Sequence, residues 1–274
     1  MTLARRTSPA GSAVVVVATL NVRNTADRWR ERAPLLVEQL VELDPDVVGL
    51  QEVRRFPGQA RWIAREAGRP WTVRADYKTG WKALWEGIAL LSRFPVTGHG
   101  RCRLGGDSRV AQRTTVELPD GRSLDVYDTH LADGHVDLRT AQARRLLEWM
   151  DERPDTPQVV LGDFNSRPGS APVRVLTGRL RSAHALAHGS EPPRTAVGGG
   201  VLDYVFVNEL VEVVDAWVTF DRPSPADPAL LPSDHLGVAA RLRLLPPVPP
   251  PPPGPPPPGP PPPGPPPNPG SRPR

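Results

Sequence analysis

One cysteine, Cys102, serves the whole 274-residue chain, which excludes an intrachain disulfide and a thiolate metal centre. Long apolar runs are missing too. Ala13 to Leu20 is eight residues long, against the 18 or more of a membrane span. It follows Arg5 and Arg6 as a secretion signal would, yet no cleavage-like spacer follows it and Asn21 stands directly against its end. A soluble, cytoplasmic chain is expected, and a monomer. An excess of charge of one sign is also lacking. Setting aside Arg272 and Arg274 leaves 32 basic against 30 acidic residues, too even to announce nucleic-acid binding.

Proline is what the chain has in excess, and it is concentrated. Pro246 to Arg274 hold 20 of the 37 prolines, so this segment cannot build a helix or a central strand. Gly254, Gly259 and Gly264 recur every five residues, a period that suits a polyproline II rod and not collagen. The tail reads as a spacer, or as a ligand for a polyproline-recognising partner. The expected division is a flexible lead at 1–12, one large-cored domain at 13–245 and a disordered or polyproline II tail at 246–274.

Within the domain, Trp29 to Leu43 carries Leu35, Leu36, Leu40 and Leu43 at helical spacing and stops before Asp44-Pro45; Leu138 to Met150 reads likewise. Short apolar or alternating runs predict strands near Thr72 to Ala75, Ile88 to Leu91, Arg113 to Leu118, Glu212 to Val218 and Leu236 to Leu242. The order is too irregular for a βα barrel. Gly98 to Val110 and His184 to Gly200 read as long loops, with Gly198-Gly199-Gly200 as a flexible turn rather than a phosphate cradle.

The remaining strands end in chemistry. Val14 to Leu20 runs into Asn21, Asp46 to Leu50 into Gln51-Glu52, and Leu124 to Thr129 into His130. Val159 to Leu161 is followed by Gly162-Asp163-Phe164-Asn165, and Ser233-Asp234-His235 precedes the last run. Strand ends are where open α/β sheets place ligands. Asp203 lies inside the apolar Leu202 to Val207, and a buried carboxylate without a partner is costly. Histidine is the natural partner.

Taken together, Leu20-Asn21, Gln51-Glu52-Val53, Asp128-Thr129-His130-Leu131, Gly162-Asp163-Phe164-Asn165, Leu202-Asp203-Tyr204-Val205-Phe206 and Ser233-Asp234-His235 resemble, in order and spacing, the endonuclease/exonuclease/phosphatase (DNase I-like) superfamily. The resemblance covers about residues 13 to 244. It implies an α/β (α+β) fold, a four-layer sandwich of two facing, mainly antiparallel β-sheets flanked by helices, with a divalent metal and phosphoester hydrolysis in a cleft at one end. Trp29, Arg32 and Pro34 are similar to a bacterial branch of metal-dependent hydrolases. Val53-Arg54 and Val201-Leu202 depart from the abasic-site endonuclease branch.

A phosphodiester's charge repels hydroxide, so hydrolysis near neutral pH needs a cation and a base. Glu52 is the strand-end carboxylate suited to Mg²⁺ or Mn²⁺, and the resemblance implies Asn21 and Asp234 as supporting metal positions. It implies Asp163 as the base, with Asn165 on the same side if the chain stays extended. His130 and His235 are implied to flank the scissile phosphate. Each needs a carboxylate to favour its cationic form, and the resemblance implies Asp203 for His235 and Glu86 for His130. Arg113 either reaches substrate phosphate or closes a strand edge. His99, His135, His184 and His188 have no motif around them and read as surface residues.

The implied bond is narrower than its carrier. DNA, RNA, phospholipids, sphingolipids and small phosphate esters all fall within the superfamily. Trp62, Trp71, Trp81 and Trp85 interleave with Arg61, Arg65, Arg74, Lys78 and Lys82, either as a stacking and phosphate surface suited to a nuclease or as tryptophans packing core edges. A catalytically inactive scaffold with a proline-rich tail is the other class, and it has no use for the polar residues gathered at strand ends.

Overall fold

The computed structural model describes residues 14–78 and 85–246. The lead, the segment 79–84 with Trp81 and Lys82, and the tail from 247 lie outside the described residues.

Two six-stranded sheets face each other. In the first, β1 (Val14–Asn21) is central, parallel to β2 (Val47–Val53) on one side and antiparallel to β12 (Gly237–Leu244) on the other. Beyond β2 lie β4 (Gly87–Ser92) and β3 (Thr72–Tyr77), and beyond β12 lies β11 (Val211–Thr219). The second sheet runs β5 (Val96–Arg103), β6 (Val110–Glu117), β7 (Ser123–His130), β8 (Gln158–Asp163), β10 (Asp203–Val207) and β9 (Arg181–Ser182). Its one parallel pair is β7–β8. A parallel pair needs a crossover, and each sheet has a helical one, α1 (Trp29–Leu43) between β1 and β2 and α3 (Val136–Met150) between β7 and β8. Helices α2 (Gln59–Glu66), α4 (Ala171–Thr177) and α5 (Ala183–His188) complete the outer layers.

Side chains alternate faces along a strand, and three apolar layers follow from that. Val15, Val17, Val47, Val126, Leu161 and Val205 meet between the sheets. Ala18, Leu20, Val48 and Leu50 turn outward under Leu36 and Leu40 of α1 and Ile63 of α2. Tyr127, Val160 and Phe206 turn outward under Leu146 of α3 and Leu176 of α4. Each fully buried side chain of this size stabilises the fold by roughly 1.5–3 kcal/mol.

At one end the row between the sheets changes from apolar to polar without changing direction. Val17 gives way to Thr19 and Asn21, Val126 to Asp128 and His130, and Leu161 to Asp163; Val205 is preceded by Asp203, because β10 runs the other way. Asn21 registers with Gln51, His130 with Asp163, and Asp163 with Asp203. Just beneath, Gln51 Nε2 donates to Asp128 Oδ1 at 2.7 Å and to Thr19 Oγ1 at 2.9 Å, tying one sheet to the other.

Two expected loops are partly regular structure. Gly98 to Arg103, the first six residues of Gly98 to Val110, belong to edge strand β5, where a Cβ at Gly98 would stand 3.0 Å from Thr115 Oγ1 and one at Gly100 3.1 Å from the Trp149 ring. Those glycines make room for neighbours and do not break the strand. His184 to Gly200 opens with α5, capped by Ser182 Oγ. His99 is accordingly a strand residue, 3.0 Å from Asp76. Trp62 and Trp71 pack against the α1–α2 layer, the core-edge alternative, while Trp85 is 59 % exposed.

Candidate active site

Glu52 reaches the site through a bulge. The β2–β4 register slips between Gln51 and Val53, and Glu52 has φ +57°. A bulge re-aims a side chain. Gln51 therefore stays between the sheets while Glu52 opens into a cavity of about 460 Å³. Glu86, His130, Asp163, Asn165 and His235 line the same cavity, as do Lys78 and Trp85 of the tryptophan and basic interleaving, and Asp107, Arg109 and Asp133, which no motif flagged.

Asp163 ends β8 as the register partner of His130, at a point where the two backbones are close: a Cβ on Gly162 would stand 2.2 Å from the Thr129 carbonyl oxygen. Asp163 Oδ2 accepts from Asn21 Nδ2 at 3.0 Å and lies 3.4 Å from His130 Nε2 and 3.9 Å from His235 Nε2. Its Oδ1 accepts the Asn165 backbone N–H at 2.8 Å. Burial, and after it the charge of Asp203, raises Asp163 to about 6. The chain does not stay extended beyond it. Asn165 is left-handed (φ +47°), and from that turn its Nδ2 lies 3.1 Å from His130 Nε2 and donates to the Leu131 carbonyl at 3.0 Å.

The two histidines differ. His235 Nδ1 is 2.9 Å from Asp203 Oδ2. Burial opposes its charge, but the hydrogen bond and charge of Asp203, then Asp163 and Asp234, outweigh burial and raise His235 to about 10. His130 moves the other way, held well below the usual imidazole range by burial and then by the charges of Arg109, Lys78 and His235. Its expected partner Glu86 stands 3.5 Å from Nδ1 but is engaged elsewhere, accepting from Lys78 Nζ at 2.7 Å and Arg109 Nη1 at 3.1 Å. The expectation of a cationic His130 is thereby corrected: burial and three neighbouring cations weigh against its charge, and Glu86 balances two of those cations.

Asn21 presents an amide nitrogen, which bridges Asp163 and Glu52 Oε1 (3.1 Å), while its oxygen accepts the Arg23 N–H at 2.9 Å. Asp234 forms an ion pair with Arg23 at 2.8 Å. Arg113 is not brought to the cavity; its guanidinium lies 5.6 Å from the Trp149 ring, under α3. Thr195 was unforeseen. Its Oγ1 accepts the N–H groups of Leu202 and Asp203 at 2.8 and 3.0 Å, its carbonyl accepts Leu236 N–H, and Ala196 bridges to His235. The strap ending in the glycine triplet thus holds both members of the Asp203–His235 pair, a long-range role with no periodic mark in the sequence.

Two groups bring ligand atoms within 4.8 Å of one another: Asp163, Asp203 and His235, and Glu52, Glu86 and His130. In the first the histidine answers the carboxylates. The second fits a divalent cation: burial, then the charges of Glu86, Asp163 and Asp234, raise Glu52, which has no cationic partner among the described residues, and His130 Nδ1 is buried without a hydrogen bond. Oxygen-rich donors of this kind suit a hard ion.

The chain is similar to known proteins. Protein angel of Drosophila melanogaster is 31% identical over 171 residues, 55% of this chain and 48% of its own length. Nocturnin of Xenopus laevis is 26% identical over 249 residues, 77% of this chain and 64% of its own. The chain thus spans less than two thirds of either relative. The solved human Nocturnin catalytic domain with bound sulfate superposes with a TM-score of 0.72 at 24% identity, over 84% of this chain and 93% of that one, a likeness of fold. Across residues 18–235, from the inward row of β1 to His235, the sequence matches the model of the Endonuclease/Exonuclease/phosphatase family, and the chain belongs to it.

Proposed function

We propose that the protein is a divalent-metal-dependent phosphoesterase that hydrolyses a phosphodiester, or a phosphomonoester, by in-line attack of a water deprotonated by Asp163. The observation that carries this reading is the setting of Asp163 Oδ2, a buried carboxylate oxygen facing two imidazoles at 3.4 and 3.9 Å on the floor of the cavity. A base raised to about 6 operates close to neutral pH. Asn21 and the Asn165 N–H orient it. His235, cationic through Asp203, donates toward a non-bridging phosphate oxygen, a contact that strengthens as charge develops. His130 Nε2, 3.1 Å from Asn165 Nδ2, positions that amide beside the base. Mg²⁺ or Mn²⁺ held by Glu52, with Asn21 and Asp234 behind it, would supply Lewis acidity and neutralise phosphate charge.

The test is hydrolysis of bis-p-nitrophenyl phosphate, p-nitrophenyl phosphate, DNA, RNA, inositol phosphates and sphingomyelin, with Mg²⁺, Mn²⁺ or excess EDTA. Turnover with metal and none in EDTA is expected. Full turnover in EDTA removes the metal assignment, and inactivity across the panel removes the phosphoesterase reading.

A further inference from the structure

Beyond Glu52 the β2–α2 loop carries an unusual surface at the cavity mouth. The Arg54 guanidinium lies 5.3 Å from the Trp85 ring centre, and that of Arg55 lies 5.5 Å from Phe56 and 5.4 Å from Tyr77. Phe56 is 63 % and Trp85 59 % exposed, the only exposed aromatic side chains among the described residues. Both stand in this strip, and Trp85 also lines the cavity. A guanidinium stacked on a ring keeps its in-plane N–H donors free for phosphate. Among the described residues neither Arg54 nor Arg55 has a carboxylate partner, and Arg55 makes no hydrogen bond to protein. The cavity differs in character, since Glu52, Glu86, Asp107, Asp133 and Asp163 line it together with Lys78, Arg109 and His235.

We propose that Trp85–Arg54 and Phe56–Arg55–Tyr77 form a track for single-stranded nucleic acid leading away from the cavity. Unstacked bases lie on the exposed ring faces and the arginines take the phosphates. Paired bases keep their faces to one another and offer the rings nothing, and an anionic membrane would meet the arginines without using the planar faces. That the scissile phosphate at the end of the track is the one cleaved rests on the phosphoesterase reading; binding along the track does not.

Fluorescence anisotropy of the full chain in EDTA, with labelled single-stranded DNA and RNA of about ten nucleotides, measures binding without cleavage. Trp85→Ala and Phe56→Ala should each weaken binding by about tenfold, the scale of one lost base stack. Arg55→Glu, which keeps all the rings, should weaken it independently and flatten the salt dependence. Leu186→Ala, exposed on α5 outside the strip, should bind as the unaltered protein does. Unchanged affinity in the three strip variants, or tighter binding of duplex or of phosphatidylserine vesicles than of single strands, overturns the track. Bis-p-nitrophenyl phosphate turnover by the unaltered protein tests the phosphoesterase reading separately, so the two fail in different assays.

Discussion

Asp163 and Asp203 are register partners across the antiparallel β8–β10 pair, and His235 stands with one ring nitrogen 2.9 Å from Asp203 and the other 3.9 Å from Asp163. Like charges directly opposite on adjacent strands are destabilising, and the shared imidazolium answers both. Asp203→Ala should therefore cost roughly 1–3 kcal/mol, the range for an orphaned buried polar group. Its effect on turnover should not add to that of His235→Ala. Urea midpoints and kinetics for the two single variants and the double test this; additive losses in turnover would show that the pair does not act as a unit.

Asp163→Asn keeps the shape and removes the base. Turnover should fall by about 10² to 10⁴ with substrate affinity retained. Near-normal turnover in single-turnover kinetics would take the base assignment away from Asp163.

Glu86→Ala should lower stability as well as activity, because Lys78 and Arg109, only 8 % and 5 % exposed, would lose a shared counter-charge. Removing one partner of a buried pair costs about 3 kcal/mol or more, and the Asp107 contact to Arg109 places this case at the lower end. Glu86→Gln should lose less. The urea midpoint reads the difference, and an unchanged midpoint in the alanine variant counts against the two-cation role.

Mg²⁺ or Mn²⁺ should raise the melting temperature of the unaltered protein, by about 2.7 kcal/mol of stabilisation at a hundredfold excess over the dissociation constant. Glu52→Gln should abolish the shift. A shift that survives in Glu52→Gln would move the ion elsewhere.

Asp128 provides a pH prediction. Gln112 is best satisfied with its amide oxygen toward the N–H groups of Ala89 and Leu90 and its nitrogen toward the Arg74 carbonyl. The atom 3.3 Å from Asp128 Oδ2 is then an oxygen, so a neutral carboxyl supplies the proton between them. Burial raises Asp128 well above the usual carboxylate range. With the folded-state value above the unfolded one, its stabilisation is full below about pH 4, the unfolded carboxylate's range, and is lost as pH rises through the folded value. Asp128→Asn cannot titrate, so it should be the more stable form at neutral pH and show a flatter pH dependence from about 4 upward. Identical slopes in urea unfolding would mean that Asp128 is ionised in the fold.

The ends of β1, β7 and β8 were legible in the sequence because alternation is local: an apolar run stopping at Asn21, His130 or Asp163 already states which face the polar residue shares. Helix α1 was legible to the residue, since its leucines repeat over several turns and Asp44-Pro45 stops it. Edge strand β5 was not, because glycines that make space look like glycines that break. Helix α2 passed unseen with few apolar residues, Ala60, Ile63 and Ala64 among them, to mark its buried face. The partner of Glu86 was misread for a different reason. Lys78, just past the end of β3, and Arg109, just before the start of β6, reach it, and nothing in the neighbourhood of either residue announces that meeting.

The pairing of β1 with β12 sets a schedule for synthesis. Ser233 Oγ donates to the Asn21 carbonyl at 2.7 Å across 212 residues, and the strand just after His235 closes the open edge of β1. A chain on the ribosome carries Asn21 and Glu52 long before it carries their counterparts, and the apolar strand β1 waits with one side unpaired. The polar end of the cavity cannot assemble in such an intermediate, which until β12 emerges depends on shielding of that edge.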